Sequence, residues 1–389
     1  MHSIAIVGAG PAGCFTAQAL AKLLPEARID ILEALPVPYG LIRYGVAPDH
    51  QGTKGVIRQF ERLFERQGVA FFGNVSVGDD VPFDDLTKIY DAVILATGLA
   101  TDRRLGVLGD DLPGVSGAGA VTRGWNDFPD ATPVQVGPRV VVIGNGNVAV
   151  DLVRLLAKGP AEFEGSDLSI LPSTGVQRID VVGRSAADLA KFDPVMIREL
   201  GRLEGARLHL HGLQGEGKCV EALRALEGHA PEGAGCEVHF HFGWHPEAIE
   251  GADHVTAARF RQGDARLVLP CDTVLTAIGF LPESAFTDMG GANMPGLYSV
   301  GWLARGPRGT IPENRADAQI VAQRVAADLA ALAAEKPGRA ALAALVPQAV
   351  DYAGWLRIDA AERAAAPEGR VRAKIRTKAE MLAIARGEG

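Results

Sequence analysis

Three glycines near the start of the chain have the spacing of a dinucleotide-binding loop. Gly8, Gly10 and Gly13 form the pattern G-x-G-x-x-G between an apolar run and an alanine-rich stretch. In such a loop the first glycine permits a tight turn, the second lets the backbone approach a diphosphate, and the third allows a helix to pack closely on a strand. Glu33 follows roughly 20 residues later, where its carboxylate can accept hydrogen bonds from both ribose hydroxyls and would repel a 2′-phosphate. These residues predict a site for a dinucleotide that carries no 2′-phosphate.

A second glycine pattern in the middle of the chain predicts a different nucleotide site. Gly144 and Gly146 again follow an apolar run, and Ala149 takes the third position, which the pattern tolerates. Arg184 stands where the first site has Glu33. A guanidinium there suits a 2′-phosphate because it donates paired, charge-assisted hydrogen bonds, so this site favours NADP(H). The alternative is that Arg184 is an ordinary solvated charge at the end of a strand.

Each glycine pattern lies where a buried strand would pass into a helix. Ser3–Val7 and Arg139–Ile143 are short β-branched runs, typical of parallel strands buried on both faces. A helix that starts at each loop would direct its free N–H groups at a phosphate. Two further apolar runs, residues 90–98 and 271–279, end in glycine, one after each pattern. The repetition predicts two related nucleotide-binding halves.

Composition narrows the class of protein. The chain has 389 residues, of which 47% are hydrophobic, enough to bury the cores of two domains. Its net charge of −8 argues against a nucleic-acid binder, whose surface would be basic. No two cysteines form a C-x-x-C pair, so we expect neither a disulfide framework nor a redox-active dithiol. The cysteines are Cys14, Cys219, Cys236 and Cys271.

Targeting and membrane segments are not expected. Strand-like sequence begins at Ser3, which leaves no secretory or transit segment before it. Apolar runs such as residues 140–143 end at glycine or asparagine, long before the roughly 20 residues that span a bilayer. We therefore expect a cytoplasmic protein that does not bind a membrane.

Several motifs beyond the glycine patterns occur in the order of one known family. They are residues 38–50 followed by Lys54, 72–78, 144–151, 301–311 and 355–362. Through these motifs the chain resembles the adrenodoxin reductase-type ferredoxin–NADP⁺ reductases, which are built on the glutathione reductase fold. The resemblance extends over nearly the whole length.

The resemblance implies an α/β fold made of two Rossmann-like dinucleotide-binding domains, glutathione reductase-like, with one domain inserted in the other. The FAD-binding domain would be discontinuous and would comprise residues 1–105 and 297–389. The NAD(P)H-binding domain would comprise residues 106–296.

The resemblance also implies which residues bind each cofactor. FAD would be held through its diphosphate, its ribose and its isoalloxazine ring by Gly8, Gly10, Pro11, Ala12, Gly13, Glu33, Leu41, Val75, Trp302, Gly309, Thr310 and Ile311. NADPH would be held by Asn145, Gly146, Asn147, Val148, Arg184 and Ser185.

The family carries a histidine and a glutamate near the contact between flavin and nicotinamide, and His50 and Glu199 match them. Transfer between the two rings needs no protein nucleophile. We therefore regard this pair as catalytic only in adjusting charge and orientation. A hydrogen-bonded loop histidine without a role in the rate is the alternative for His50.

The chain departs from the family pattern beside both cofactors. Members carry a second arginine where this chain has Ser185 and a glutamate where it has Met196, and Pro194 interrupts a run that is usually helical. A second guanidinium that would donate charge-assisted hydrogen bonds to the 2′-phosphate is therefore missing. Lys191 is a candidate replacement. The sequence thus leaves the choice between NADPH and NADH open. Residues 310–314 also differ from the usual sequence beside the flavin.

A flavin between a nicotinamide and an iron–sulfur cluster has a physical purpose. Nicotinamide gives up two electrons together as a hydride, the cluster accepts one electron at a time, and flavin can do both. We therefore expect an FAD-dependent oxidoreductase, a ferredoxin–NADP⁺ reductase that passes electrons from NADPH to a one-electron carrier, above all a [2Fe–2S] ferredoxin. Two alternatives stay open: a flavin reductase or oxidase that acts on a quinone or another small acceptor, and a non-enzymatic redox sensor that binds the dinucleotides. The sequence does not determine the oligomeric state.

A run of basic residues near the C-terminus allows two interpretations. An acidic ferredoxin would be steered by such a patch, but a solvated tail is favoured because lysine and arginine are mostly exposed. The residues are Arg370, Arg372, Lys374, Arg376 and Lys378.

Two other stretches have plain structural interpretations. The alanine-rich residues 316–335 predict an amphipathic helix that packs behind the flavin rather than on a membrane. His239 and His241 alternate along a predicted strand and so share one of its faces. Because no third or fourth donor is evident at metal-binding spacing, we expect no metal site.

Overall fold

The computed structural model describes residues 1–168, 175–282, 294–333 and 336–388. In chain order the strands of these residues are β1 (Ser3–Val7), β2 (Arg28–Glu33), β3 (Ala70–Gly73), β4 (Ala92–Leu95), β5 (Thr101–Asp102), β6 (Val115–Gly117), β7 (Arg139–Ile143), β8 (Arg178–Gly183), β9 (Ala206–His211), β10 (Cys236–Phe242), β11 (His245–Gly251), β12 (Val255–Gln262), β13 (Ala265–Pro270), β14 (Thr273–Thr276), β15 (Phe280–Leu281) and β16 (Leu297–Ser299).

The helices connect these strands and cover the sheets. The α-helices are α1 (Pro11–Leu23), α2 (Gly40–Tyr44), α3 (Gln51–Lys54), α4 (Ile57–Arg66), α5 (Phe83–Ile89), α6 (Ala118–Trp125), α7 (Asn147–Ala157), α8 (Pro194–Glu199), α9 (Lys218–Arg224), α10 (Trp302–Arg305), α11 (Ile311–Ala330), α12 (Arg339–Leu345), α13 (Tyr352–Ala364) and α14 (Lys378–Arg386). Short 3₁₀ helices span Pro160–Phe163, Ala187–Leu189 and Leu200–Arg202.

The first glycine loop belongs to a parallel sheet. Five strands of the described residues form it in the order β16-β4-β1-β2-β3. Every residue of β1 is buried, which is the environment that an apolar run without alternation requires. Helix α1 follows, with Gly10 at its N-cap and Pro11 in its first turn, where the missing N–H of proline costs no hydrogen bond. The sheet thus presents the loop at the carboxyl end of β1.

The second glycine loop lies in a sheet of the same design. Within the described ranges six parallel strands follow the order β6-β14-β7-β8-β10-β9, and α7 follows β7 as α1 follows β1. Alternate residues of β7 face opposite layers. Val142 packs with Val153 of α7, whereas Val141 packs with Phe260 of the antiparallel sheet β11-β12-β13. Burial on both faces explains the continuous apolar run in β7.

The chain passes from the first sheet to the second, and back again, at two adjacent places. Strands β5 and β15 pair antiparallel, with Thr101 opposite Leu281 and Asp102 opposite Phe280. After β15 the chain returns to the first sheet as β16, which pairs with β4. The second sheet is therefore inserted between two neighbouring strands of the first. The predicted α/β fold, with one Rossmann-like unit inserted in another, is confirmed.

Helix α11 covers one face of the first sheet together with α1. It begins earlier than the predicted stretch because Thr310 and Glu313 form a capping box. Its buried residues include Ala318, Ala322 and Val325, which belong to the same core as α1. The prediction of a core-facing helix is confirmed up to Ala330, and residues 334 and 335 lie outside the described residues. None of the helices in the described ranges has both the length and the apolar character needed to cross a membrane.

Candidate dinucleotide and redox site

The two glycine loops make equivalent turns in the two sheets. The φ angle is 108° at Gly8 and 138° at Gly144, in the left-handed region that favours glycine. A Cβ atom at Gly8 would lie 2.6 Å from the carbonyl oxygen of Ala96, and one at Gly144 would lie 2.3 Å from that of Ala277. Each turn is therefore pressed against the end of a neighbouring strand, and a side chain would displace it.

The second glycine of each loop faces open space. Nothing lies within 4 Å of a Cβ atom built at Gly10 or Gly146. Each of these glycines is the N-cap of a long helix, and neither helix has a side-chain cap. The first N–H groups of α1 and α7 are thus available to a ligand, and the helix dipole favours a negative one. Both loops fit a diphosphate.

Glu33 ends β2 beside the first loop. Its Oε2 accepts a hydrogen bond from the N–H of Ala9 at 2.9 Å, and its Oε1 accepts one from the N–H of Leu35 at 3.1 Å. Burial raises the pKa of the Glu33 carboxyl, and these backbone donors oppose that rise. Buried Val75 donates its N–H to the carbonyl oxygen of Glu33. Glu33 therefore holds the loop in shape, a role that the sequence did not reveal, and it stands at the position predicted for a ribose-binding acid.

Leu41 lies close to the same loop. Its neighbour Gly40 approaches so near that a Cβ atom there would lie 2.9 Å from the Cα atom of Gly10. Leu41 itself is 41% exposed, so it offers an apolar surface beside the first loop. On the other side of the loop, a Cβ atom at Gly13 would lie 2.0 Å from the carbonyl oxygen of Gly8, as the close packing of α1 on β1 requires.

Trp302 reaches the first loop from the C-terminal part of the chain. A Cβ atom at the preceding Gly301 would lie 2.6 Å from the Cβ atom of Ala12, which brings the start of α10 against the start of α1. The indole stacks on Phe280, with ring centroids 5.9 Å apart and planes at 19°. Its Nε1 is buried without a hydrogen-bond partner in the described residues. Because buried donors are nearly always paired, this atom indicates a ligand position.

The remaining residues predicted to contact FAD form the start of α11. Gly309 and Thr310 are exposed, and Ile311 is half-buried. The N–H and hydroxyl of Thr310 both donate to the carboxylate of Glu313. The capping box therefore fixes the backbone here, so these residues offer a rigid edge rather than free polar side chains.

Two asparagines fasten the second loop to the segment that follows β8. The side-chain oxygen of Asn147 accepts the N–H of Asp193 at 2.6 Å, and the backbone oxygen of Asn145 accepts the N–H of Lys191 at 2.9 Å. The Nδ2 of Asn145 is buried and has no partner in the described residues, so it can donate to a bound dinucleotide. Val148 is half-buried and packs against the core of the second sheet.

Arg184 lies directly after β8 at the same end of the sheet as the second loop. A Cβ atom at the preceding Gly183 would lie 2.5 Å from the Nδ2 of Asn145, which places the end of the strand against the loop. Arg184 is exposed, and no acidic residue of the described ranges forms an ion pair with it. Ser185 accepts the N–H of Gly243 with its backbone oxygen at 3.0 Å. The Arg184 guanidinium is therefore available to an anionic ligand.

His50 and Glu199 are in direct contact. The Nε2 of His50 lies 3.1 Å from the Oε2 of Glu199, although 149 residues separate them. The side chains are 23% and 29% exposed. The Nδ1 of His50 lies 3.9 Å from Asp151, which is on α7 just behind the second loop. The two residues are thus brought together beside the start of α7.

A buried ionic network supports this pair, and the sequence reasoning missed it. Arg154 of α7 contacts Asp49, Asp151 at 2.8 Å and Glu199 at 3.6 Å. Lys158 contacts Asp49 at 2.6 Å. Burial by itself would raise the pKa of Asp49, but Arg154 and Lys158 hold it below its ordinary value. The sequence signal that could have revealed this network is an acidic and a basic residue three positions apart, Asp151 and Arg154, on an otherwise apolar helix.

Known proteins resemble the chain over its full length. A family model described as pyridine nucleotide-disulphide oxidoreductase matches residues 2–170. Cindoxin reductase of Citrobacter braakii is 44% identical, with 99% of this chain and 91% of that protein covered. NADPH-ferredoxin reductase FprA of Mycobacterium tuberculosis is 35% identical over 99% of both chains. Human mitochondrial NADPH:adrenodoxin oxidoreductase is 33% identical over 98% of this chain and 91% of its own.

The chain belongs to the adrenodoxin reductase-type family of NADPH:ferredoxin reductases. The resemblance that the sequence motifs indicated is thereby confirmed. The solved structure of Mycobacterium tuberculosis FprA in complex with NADPH agrees, with a TM-score of 0.91, 32% identity and coverage of 99% of this chain and 100% of that one. Thioredoxin reductase of T. acidophilum, at 16% identity and a TM-score of 0.53, shares the fold alone.

In this reductase both interpretations of the basic run are wrong for its central residues, Arg372 and Lys374, which lie largely out of solvent. Lys374 is 4% exposed and contacts Asp167 at 3.0 Å, and Lys54 contacts the same carboxylate at 2.7 Å. Arg372 pairs with Asp359 at 2.8 Å. The others also have partners: Arg370 donates to the carbonyl oxygen of Phe163, Arg376 pairs with Asp127, and Lys378 donates to the carbonyl oxygen of Ala34. These charges fasten the C-terminal segment to the rest of the molecule.

Proposed function

We propose that this reductase transfers electrons from NADPH, through FAD, to a [2Fe–2S] ferredoxin. The observation that carries the proposal is the pair of equivalent loops at Gly8 and Gly144, each at the start of an uncapped helix and joined by the His50–Glu199 contact. The names of the full-length relatives agree with it, since they are reductases that act on ferredoxin, adrenodoxin or cindoxin. FAD, when bound, supplies the conversion between two-electron transfer from nicotinamide and one-electron transfer to an iron–sulfur cluster.

The first loop is proposed to hold FAD. The free N–H groups at the start of α1 would bind the diphosphate, and Glu33 would face the ribose. The unpartnered Nε1 of Trp302 supports a ligand between α10 and the loop. We assign residues 1–105 and 297–389 to this FAD-binding domain, because β16 pairs with β4.

The second loop is proposed to hold NADPH. The start of α7 and the free amide of Asn145 would bind the diphosphate region, and Arg184 would bind the 2′-phosphate. With Ser185 in place of a second arginine, a single guanidinium carries the preference for NADPH. We assign residues 106–296 to this NADPH-binding domain.

His50 and Glu199 are proposed to position the reacting rings rather than to move a proton. Each lies on a different side of the site, one before α3 and one at the end of α8. Their hydrogen bond therefore fixes the distance between the segments that would hold the two cofactors. A misplacement of about 1 Å between reacting groups can cost roughly 10²-fold in rate.

The decisive experiment follows reduction of cytochrome c by the FAD-loaded protein with NADPH, in the presence and absence of a [2Fe–2S] ferredoxin. We expect NADPH to bleach the flavin absorbance and the ferredoxin to stimulate cytochrome reduction. If no ferredoxin stimulates it while quinones or oxygen are reduced rapidly, the reductase acts on a small acceptor instead. If NADPH binds without turnover on any acceptor, the chain is a redox sensor.

We also propose a cytoplasmic location. All four cysteines, which lie in described residues, are free thiols, as expected in a reducing compartment. Cell fractionation followed by immunoblotting tests this, and recovery of the protein in a membrane or organelle fraction would contradict it.

A further inference from the structure

Four histidines form a stacked ladder along one edge of the second sheet. They are His209 and His211 of β9 and His239 and His241 of β10. Strand β9 is the last strand of the order β6-β14-β7-β8-β10-β9 in the described residues. It pairs with β10 in parallel, so that His209 lies opposite His239 and His211 lies opposite His241. Alternate residues of a strand share one face, so all four imidazoles project from the same side. The rings of His209 and His239 lie 4.4 Å apart with planes at 12°.

Three side chains of this face bring metal-binding atoms together. His209, Glu237 and His239 each offer one ligand atom, and these atoms all lie within 4.8 Å of one another. His209 and Glu237 already meet at 2.5 Å. Their side chains are 42% and 37% exposed, so both can rotate and solvent can deliver an ion. Ligand atoms 2.0 to 2.2 Å from one tetrahedral ion lie roughly 3.3 to 3.6 Å from one another, so an ion would draw the three side chains closer together.

A neighbouring histidine, His211, can orient His239. The Nε2 of His211 lies 2.9 Å from the Nδ1 of His239. When the Nδ1–H of His239 donates in this hydrogen bond, the Nε2 of His239 carries the free lone pair. Such a partner on the other ring nitrogen is the usual support of a histidine ligand.

The surrounding groups define which residues belong to the site. His241 is excluded, because it is buried and bonded to Asp180 at 2.8 Å. Arg207 lies 3.4 Å from Glu237 and competes weakly for its carboxylate. Arg178 is paired with Asp180 at 2.7 Å. Three donors on this face are therefore accessible and not bonded to the interior, namely His209, Glu237 and His239.

We propose a binding site for a divalent transition-metal ion, with Zn²⁺ as the ion expected first. Its ligands are His209, Glu237 and His239, and His211 orients His239. Two imidazoles and one carboxylate suit Zn²⁺, Cu²⁺ or Ni²⁺, whereas Mg²⁺ and Ca²⁺ prefer all-oxygen sites. The sequence expectation of no metal site rested on His239 and His241 alone. The further donors are Glu237, two residues before His239 on β10, and His209, which the parallel pairing of β9 with β10 brings beside His239.

Zinc titration of the FAD-loaded protein tests the proposal. The protein is produced without a histidine tag, freed of metal with a chelator, and titrated with ZnCl₂ by calorimetry at neutral pH. The variants are His209→Gln, Glu237→Gln and His239→Gln. The matched control is His254→Gln, an exposed histidine that bonds to the carbonyl oxygen of Asp272. FAD content and melting temperature without zinc report whether each variant is folded.

We expect one equivalent of Zn²⁺ to bind to the wild type and the control, and each ligand substitution to weaken binding at least tenfold. Zn²⁺ should also raise the melting temperature of the wild type, because it binds the folded state. Zinc X-ray absorption should show nitrogen and oxygen neighbours. Equal affinity in wild type and folded ligand variants, sulfur neighbours, or wild-type binding weaker than about 1 mM would each overturn the proposal. None of these outcomes depends on the reductase activity.

Discussion

Arg154 and Asp49 form a buried ion pair between the helix that follows the second glycine loop and the segment that carries His50. Their side chains are 3% and 8% exposed. Because Asp49 precedes His50 and Arg154 also lies 3.6 Å from Glu199, the pair fixes both members of the His50–Glu199 contact. The ion pair thus joins the two proposed cofactor domains, as the contacts of Lys54 and Lys374 with Asp167 also do.

Replacing Arg154 with methionine should strongly destabilise the protein. The substitution leaves Asp49 and Asp151 buried with weakened charge compensation, and breaking a buried pair costs roughly 3 to 5 kcal/mol. Urea denaturation of the FAD-loaded protein measures the free energy of unfolding. Arg139→Met is the matched control, because Arg139 pairs with Asp272 at the exposed surface and its loss should be far smaller. Similar losses in the two variants would contradict the assignment.

The Asp49 carboxyl should make stability sensitive to acid. Its pKa in the folded protein is held below the ordinary value by Arg154 and Lys158, while in the unfolded chain it is about 3.9. The pair therefore contributes stability above about pH 4, and this contribution is lost as the pH falls through the folded pKa. Asp49→Asn should be destabilised most at neutral pH, and its deficit against wild type should shrink on acidification. Unfolding free energies across a pH series measure this, and a constant deficit would refute it.

Two glycines of the first loop should respond differently to alanine. Gly8→Ala meets the carbonyl oxygen of Ala96 at a positive φ, so both the folded protein and FAD binding should suffer. Gly10→Ala meets no protein atom, so the FAD-free protein should keep its melting temperature while the affinity for FAD falls at least tenfold. Absorbance of bound flavin and circular dichroism measure the two effects. Normal FAD affinity in Gly10→Ala would contradict a diphosphate at this loop.

Arg184→Ala should lower kcat/KM for NADPH far more than kcat/KM for NADH. Hydrogen bonds to charged groups contribute roughly 1.5 to 3 kcal/mol, so kcat/KM for NADPH should fall about 10- to 150-fold while that for NADH stays within about twofold. Lys191→Ala is measured beside it, because Lys191 is the other candidate for the phosphate and its backbone N–H already contacts the second loop. Equal losses with both nucleotides would mean that Arg184 does not bind the 2′-phosphate. A selective loss in Lys191→Ala would add that residue to the phosphate site.

The sequence by itself determined the fold class and the two glycine loops. A turn at a positive φ beside a neighbouring strand admits only glycine, and a strand buried on both faces must be continuously apolar. Such local constraints appear in the sequence as fixed residue types at fixed spacing, as in Gly8 and Gly144. The family motifs rest on the same kind of signal, and they also paired His50 with Glu199.

Only the tertiary structure decided which charged residues meet. Lysines and arginines are exposed in most proteins, so the sequence predicted that the run containing Lys374 lies at the surface. In the structure Lys374 is buried against Asp167, which Lys54 also contacts. Arg154 pairs with Asp49 of a distant segment, and His209 lies beside His239 only because β9 pairs with β10. Charges act through space over a few ångströms and leave no periodic trace along the chain. The partner of a charge in a distant segment, such as Asp49 for Arg154, is therefore settled by packing.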